Sequence, residues 1–454
     1  MSAANPSKPT GREIDTPAQR VFAAALGSLL GLSLLKFGNP AILDEQVAVP
    51  SDGFEWLLMP WPLAVGQVLF LLVALAGCWV ARKQPQTPRW LALAPLPWLA
   101  WQLIAATGSI HTELTLVTLR HFLTNVAAFY LGLFCLSPVK ELRRFWTGLI
   151  LGFGLVLLSG WQQHFGGLQA SRDYFYREIY PRMQGEVPEE LMRRMASDRI
   201  FATLFYANTL AGVILVFTPV CVGALPQLLR PGPVRRASLI LLLTLAVACL
   251  VWTGSKAGWL LAVTLAVVAL FRLRFSRRLK LGLAVVLVIS GTGGFVWKYS
   301  DYLRGGAKSA AARMDYWEAA LKVTTAHPIR GTGPGTFGKA YAPIKRPESE
   351  MAHLTHNDYL QQASDSGVPG FLLFAGFIVG AMVWAGRRVW SGGSAVRFAV
   401  WAGLLGGALQ AGVEFGWYIP AISWCYMVLL GWLVGQPWND LDRSNRQNLT
   451  SGLV

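Results

Sequence analysis

Residues 239–271 read LILLLTLAVACLVW, then TGSKAG, then WLLAVTLAVVALF: two apolar runs, Leu239 to Thr253 and Gly258 to Phe271, joined by a turn with almost no polar loop. A membrane crossing takes about 20 predominantly apolar residues, and shorter runs reach that length with flanking aromatics such as Trp252 and Trp259. The pair therefore reads as a membrane hairpin. Ten similar runs surround it, with approximate cores at Val21 to Phe37, Trp56 to Val80, Trp90 to Thr107, Leu119 to Leu136, Phe145 to Trp161, Phe205 to Leu229, Leu281 to Trp297, Val368 to Trp384, Phe398 to Val413 and Trp417 to Val434.

Composition agrees. The 454 residues are 54% hydrophobic and 14% charged, with a mean hydropathy of +0.42, against roughly 45–50% apolar and 25% charged for soluble domains. No soluble block of domain size remains between the runs, which excludes a soluble enzyme. The expected fold is an all-α polytopic membrane protein of about twelve transmembrane helices.

The chain carries a net charge of +16, which by itself suggests nucleic acid or anionic lipid as a partner. The location of the charge argues for topology instead. Five short loops hold Arg82, Lys83 and Arg89; Lys140, Arg143 and Arg144; Arg230, Arg235 and Arg236; Arg272, Arg274, Arg277, Arg278 and Lys280; and Arg387, Arg388 and Arg397. Against these stands one acid, Glu141. All five loops fall on the same side of a twelve-span chain as the N-terminus, so that side is cytoplasmic by the positive-inside rule, and no nucleic acid is needed. The expected organisation is a cytoplasmic segment 1–20, one membrane domain 21–436 whose first helix is retained rather than cleaved as a signal, and a cytoplasmic tail 437–454. Cys78, Cys135, Cys221, Cys249 and Cys425 are dispersed in apolar runs, so neither a disulfide nor a zinc site is expected.

The opposite side receives two long connections, about 162–203 and 298–367. Connections of that length are uncommon unless functional. The second reads as two helices, Lys308 to Ala326 and about Met351 to Ser366, flanking Gly331-Thr-Gly-Pro-Gly-Thr-Phe-Gly338. On the first helix Met314, Trp317, Leu321 and Thr324 share one apolar face. Gly333 to Lys339 fits the start of a phosphate-binding P-loop, but Ala340 stands where Ser or Thr must hold magnesium, and no strand precedes it. A glycine turn that lets backbone approach another segment or a phosphate is the better reading.

His353 and His356 stand three apart, which on a helix puts both on one face, yet no third metal ligand is obvious beyond Asp358 and Glu350. A neutral histidine in an extracytoplasmic pocket is a natural general base for a hydroxyl. Cations at the same membrane face are Arg120 beside His121, Arg199, Lys256 and Arg313. Singly, each needs only a lipid phosphate; converging on one cavity, they would bind a phosphorylated lipid head group. Glu414, at the outer end of the eleventh span, is placed to pair with one of them.

These residues carry a resemblance. His356-Asn357, nine residues, then Gly367-Val-Pro-Gly370 is similar to the signature of the O-antigen ligase family and its relatives, the lipid-linked polysaccharide polymerases. Arg313-Met-Asp-Tyr-Trp317 followed by Pro328 to Phe337 resembles the family's arginine helix and glycine turn, and Arg199 to Asn208 its arginine-to-asparagine segment. The large external loop between the ninth and tenth spans fits as well. Where the family commonly has Ser-Arg, this chain has Ser255-Lys256, which keeps the charge but loses the two-pronged guanidinium.

The resemblance implies transfer of a glycan from undecaprenyl pyrophosphate to an acceptor sugar hydroxyl on a glycan or glycolipid, at the periplasmic face of a bacterial inner membrane, with no cofactor, metal or nucleotide. It implies His356 as base, Arg313 and Lys256 as catalytic cations, and Arg199, Arg120, Asn208, Gly333, Gly335 and Asn357 as contacts to the pyrophosphate and glycan. A pyrophosphate leaves readily, so cations and a base suffice. A polymerase joining repeat units on their carriers is the alternative within the class. A flippase or transporter is the alternative outside it, but transporter sites lie near the membrane midplane, whereas the distinctive residues here cluster outside.

Overall fold

The computed structural model describes residues 15–47, 49–81, 87–183, 192, 195–204, 206–304, 308–392 and 394–438. The expected cytoplasmic termini beyond 15 and 438, Phe205, and the basic residues Arg82 and Lys83 lie outside the described residues. Within them the chain is helical, with no strand.

Each expected span coincides with a helix. In chain order these are α1 (Pro17–Lys36), α2 (Leu63–Val80), α3 (Pro95–Ala106), α4 (Thr112–Tyr130), α5 (Arg143–Gln162), α6 (Ala207–Leu228), α7 (Pro233–Trp252), α8 (Lys256–Arg272), α9 (Arg277–Lys298), then α10 (Lys308–Ala326) in the second long connection, and finally α11 (Asp358–Gly392), α12 (Ala395–Gln410) and α13 (Pro420–Val434). Eight described helices are long and apolar enough to cross a membrane; α3, α8, α12 and α13 are shorter. The protein is a multi-pass membrane protein.

The centre of the bundle is α13, every residue of which is buried. At the other extreme α9 has no buried residue, as expected of an apolar helix whose surroundings are lipid. Small residues set the closest contacts. A Cβ on Gly31 would lie 2.3 Å from the Gly148 carbonyl oxygen, and one on Gly152 equally close to the Gly31 Cα, so α1 and α5 pack backbone to backbone.

Contacts gather the basic loops at one end of this bundle. Asp15 accepts from the Lys140 and Glu141 amides, Arg143 donates to the Leu228 carbonyl, and Thr87 donates to Val434. Arg397 reaches Pro437 and Gln436, and the Arg272 guanidinium lies 5.7 Å from the Phe398 ring. The charge bias of the loops is thus a property of one face.

The other end carries the two long connections. α10 has the expected bounds, with an inner face shifted from the expected one: Tyr316, Ala319, Ala320, Val323 and Thr324 are buried and Trp317 packs partly buried beside them, whereas Met314 is 61% and Leu321 53% exposed. Ala319 and Ala320 allow the helix to lie close against α11. Met351 to Asn357 is irregular, and α11 starts only at Asp358. It kinks at Gly367 (φ 72°, ψ −179°), where the Val368 amide bonds the Pro328 carbonyl.

Candidate functional site

At that end a chain of polar contacts joins five separate segments. Arg199, in the connection before α6, donates through Nε to the Thr253 carbonyl (2.5 Å) and through Nη2 to Asn208 Oδ1 (2.6 Å). Asn208, in the first turn of α6, donates to Glu414 Oε1 (2.7 Å). The same oxygen pairs with Arg313 Nη2 from α10. The second oxygen, Oε2, lies 3.1 Å from His356 Nδ1. Arg199 and His356, 157 positions apart, are therefore linked through Asn208 and one carboxylate.

Glu414 is 4% exposed. Burial pushes its carboxyl up, but the Arg313 and His356 charges and their hydrogen bonds outweigh this and hold it down at about 2. It is therefore an anion at neutral pH. In the neutral form of the ring, Nδ1 donating to this carboxylate leaves the lone pair on Nε2. The ring is held by Tyr316, nearly parallel at 5.8 Å between centroids, and by the edge of Phe415 at 4.7 Å. Its backbone sits in the left-handed region (φ 52°), because the chain must turn sharply between the external loop and the start of α11.

Lys256 begins α8, whose first turn is capped by Ser255 accepting from the Gly258 amide. The ammonium lies 4.3 Å from the Tyr302 ring and 5.3 Å from Tyr299, an arrangement that stabilises a cation in low dielectric. It is near enough to Arg199 and Arg313 for their charges to oppose its own. Three cations against the two carboxylates at the cavity, Glu414 and Glu350, leave a net positive site, and Arg313 Nε is buried without a protein partner, a donor suited to an anionic ligand. A cavity of about 250 Å³ opens here, lined among others by Arg199, Asn208, Tyr316, His353, His356 and Glu414. Arg313 and Lys256 flank it rather than line it.

Other expected site residues are placed differently. Gly333 and Gly335 adopt positive φ (109° and 80°), but their turn wraps a carboxylate of the chain itself. Asp365 accepts from the Gly335 amide (2.7 Å) and the Phe337 amide (3.1 Å), and its carbonyl accepts from Gly333 (2.8 Å). The turn has the amide cradle of an anion site, and Asp365 fills it. Asn357 spends its side-chain oxygen on the Tyr359 and Leu360 amides at the start of α11. Arg120 is exposed on α4 and does not line the cavity. His353 and His356 do not share a helix face, since the helix begins after both. Among the described residues no group of three His, Cys, Asp or Glu is placed to hold a metal.

The sequence marked Glu414 only as a partner for a cation, not as the hub it forms. Phe415 gave no signal, since aromatic residues at span ends are accounted for by the membrane interface alone, and Tyr316 was marked only as part of the Arg313 to Trp317 stretch. Residues 239–375 match a family model described as O-antigen ligase. The matched stretch includes Lys256, Arg313 and His356, whereas Arg199, Asn208 and Glu414 lie outside it. No curated protein matches the chain.

Proposed function

We propose, from the premise that this chain belongs to the superfamily of O-antigen ligases and lipid-linked polysaccharide polymerases, that it transfers a glycan from undecaprenyl pyrophosphate to a hydroxyl of an acceptor sugar of the lipid A-core type. The site would face the periplasm of a bacterial inner membrane, as the basic loops collected at the opposite end support. His356 Nε2 takes the acceptor proton, the acceptor oxygen attacks the anomeric carbon, and the bond from that carbon to the pyrophosphate oxygen breaks with its electron pair. Arg199, Lys256 and Arg313 stabilise the charge gathering on the departing pyrophosphate. Single displacement inverts the anomeric centre. No covalent glycosyl intermediate, metal or nucleotide enters this scheme.

The observation that carries the reading is the Glu414 bridge. One carboxylate orients the base with one oxygen and fixes the cation set with the other, so base and leaving-group site are held at a set separation, as a one-step displacement requires. The test is the purified protein in detergent with a carrier-linked glycan and a lipid A-core acceptor. Glycan joined to the core with inverted anomeric configuration is expected. Elongation of a second carrier-linked glycan would instead identify a polymerase, and absence of transfer with either acceptor would refute the proposal.

A further inference from the structure

Glu414 sits on the segment between α12 and α13, which has only a short turn at Gly416–Tyr418. Irregular backbone aims a side chain reliably only where something ties it down. Here the tie is a pair of fully buried polar side chains, both 0% exposed. Asp358 Oδ2 accepts from the Trp417 amide (3.2 Å), and His121 Nε2 lies 2.8 Å from the Trp417 carbonyl, to which it donates. Asn125 and Ser423 also contact that imidazole nitrogen, and the Asp358 amide bonds the Ala411 carbonyl (2.7 Å) at the other end of the segment. One residue three positions from Glu414 is thus gripped on both its peptide groups.

Beneath this grip lies a small cavity of about 20 Å³, lined by Asp358, Gln410, Trp417, Ser423 and Tyr426 among others. Asp358 Oδ1, Gln410 Oε1 and the Tyr426 hydroxyl are all buried without a protein partner. A volume of that order holds one water, which typically makes about three hydrogen bonds.

Resting on the reading of His356 and Glu414 as catalytic machinery, we infer that Asp358 and His121 are positioning residues. They hold Trp417 so that Glu414 meets His356 and Arg313 together, and the cavity is a site for one water that satisfies Asp358, Gln410 and Tyr426. A shift of about 1 Å in such a segment is enough to cost on the order of 10²-fold in rate.

The experiment uses the full chain in the transfer assay, with turnover and donor KM measured per folded molecule. Asp358→Ala is expected to lower kcat by roughly 10–100-fold with donor KM nearly unchanged. Asp358→Asn, which keeps an acceptor oxygen for the Trp417 amide, is expected to recover most of the loss. In a Glu414→Ala background, Asp358→Ala should add little, since residues acting through one another are not additive. His121→Leu removes only the carbonyl side of the grip and gives the same test where Asp358→Ala does not fold. A high-resolution experimental map should show one water between Asp358, Gln410 and Tyr426; a map that shows other buried waters and none there overturns that part. Multiplying losses in the double variant, or wild-type turnover in Asp358→Ala with inactive His356→Ala, overturn the positioning role alone. Wild-type turnover in His356→Ala overturns the catalytic reading and this inference with it.

Discussion

His356 and Glu414 face each other with Nδ1 3.1 Å from Oε2, and the remaining oxygen of Glu414 is shared by Asn208 and Arg313. The arrangement differs from a simple ion pair in that the carboxylate has partners on two sides, one for each half of the proposed displacement.

Removal of the base should separate chemistry from binding. His356→Ala is expected to reduce turnover by roughly 10²–10⁴, the usual contribution of general base catalysis, with carrier-linked donor binding nearly intact. His353→Ala should cost much less. Steady-state kinetics beside a donor-binding assay makes the comparison; equal losses for both histidines together with weakened binding would argue for a shared binding role.

The Glu414 carboxyl is held near 2 in the folded protein, against an ordinary value of 4.5. Its stabilising contribution is therefore complete above about pH 4.5 and is lost as pH falls toward 2. A depression of that size corresponds to about 3 kcal/mol. Unfolding measured between pH 6 and pH 2 should show this loss in the wild type, and Glu414→Gln should show a shallower profile.

Lys256→Ala and Arg199→Ala should each raise donor KM and lower kcat, because a pyrophosphate charge present in the ground state grows as the bond breaks. Lys256→Arg should retain activity, since a guanidinium can stack over Tyr302 and Tyr299 as the ammonium does. Kinetics with varied donor would show the difference; a dead Lys256→Arg would count against a role for charge alone.

Gly335→Ala should damage the fold and spare the chemistry. A Cβ there would meet Thr118 Oγ1 at 2.1 Å, at a φ of 80° that alanine disfavours. A loss of roughly 1–3 kcal/mol is expected for such a strained position, read as a lower unfolding midpoint with donor KM of the folded fraction unchanged.

A reporter enzyme fused at Arg278 should be active only as a cytoplasmic fusion. Periplasmic activity at that position would reverse the assignment of sides.

The helices at the expected spans were legible because a crossing demands a long apolar run whatever the helix packs against; hydropathy marked the eight long ones, and flanking aromatics were needed for the shorter α3, α8, α12 and α13. The inner face of α10 was legible only in part: Trp317 and Thr324 turn inward as expected, but Ala319, Ala320 and Val323 beside Tyr316 fill the rest of it, while the conspicuous Met314 and Leu321 point outward. His356, Arg313, Arg199 and Lys256 were legible as residues of one end of the bundle, and three-dimensional contacts link them. Gly333 and Gly335 illustrate a real ambiguity. A glycine turn that cradles an anion has the same sequence whether the anion is a phosphate or a distant side chain, and nothing near the turn announces Asp365.

The left-handed backbone of His356 has a consequence for how this chain tolerates mutation over generations. An L-residue held in that conformation gives up about 1–2 kcal/mol, and glycine or asparagine adopts it more readily. Exchange of the histidine for either relieves that strain but also removes the contacts with Glu414, Tyr316 and Phe415. The strained backbone and the imidazole are thus held as one unit, since neither replacement supplies the ring that those three neighbours grip.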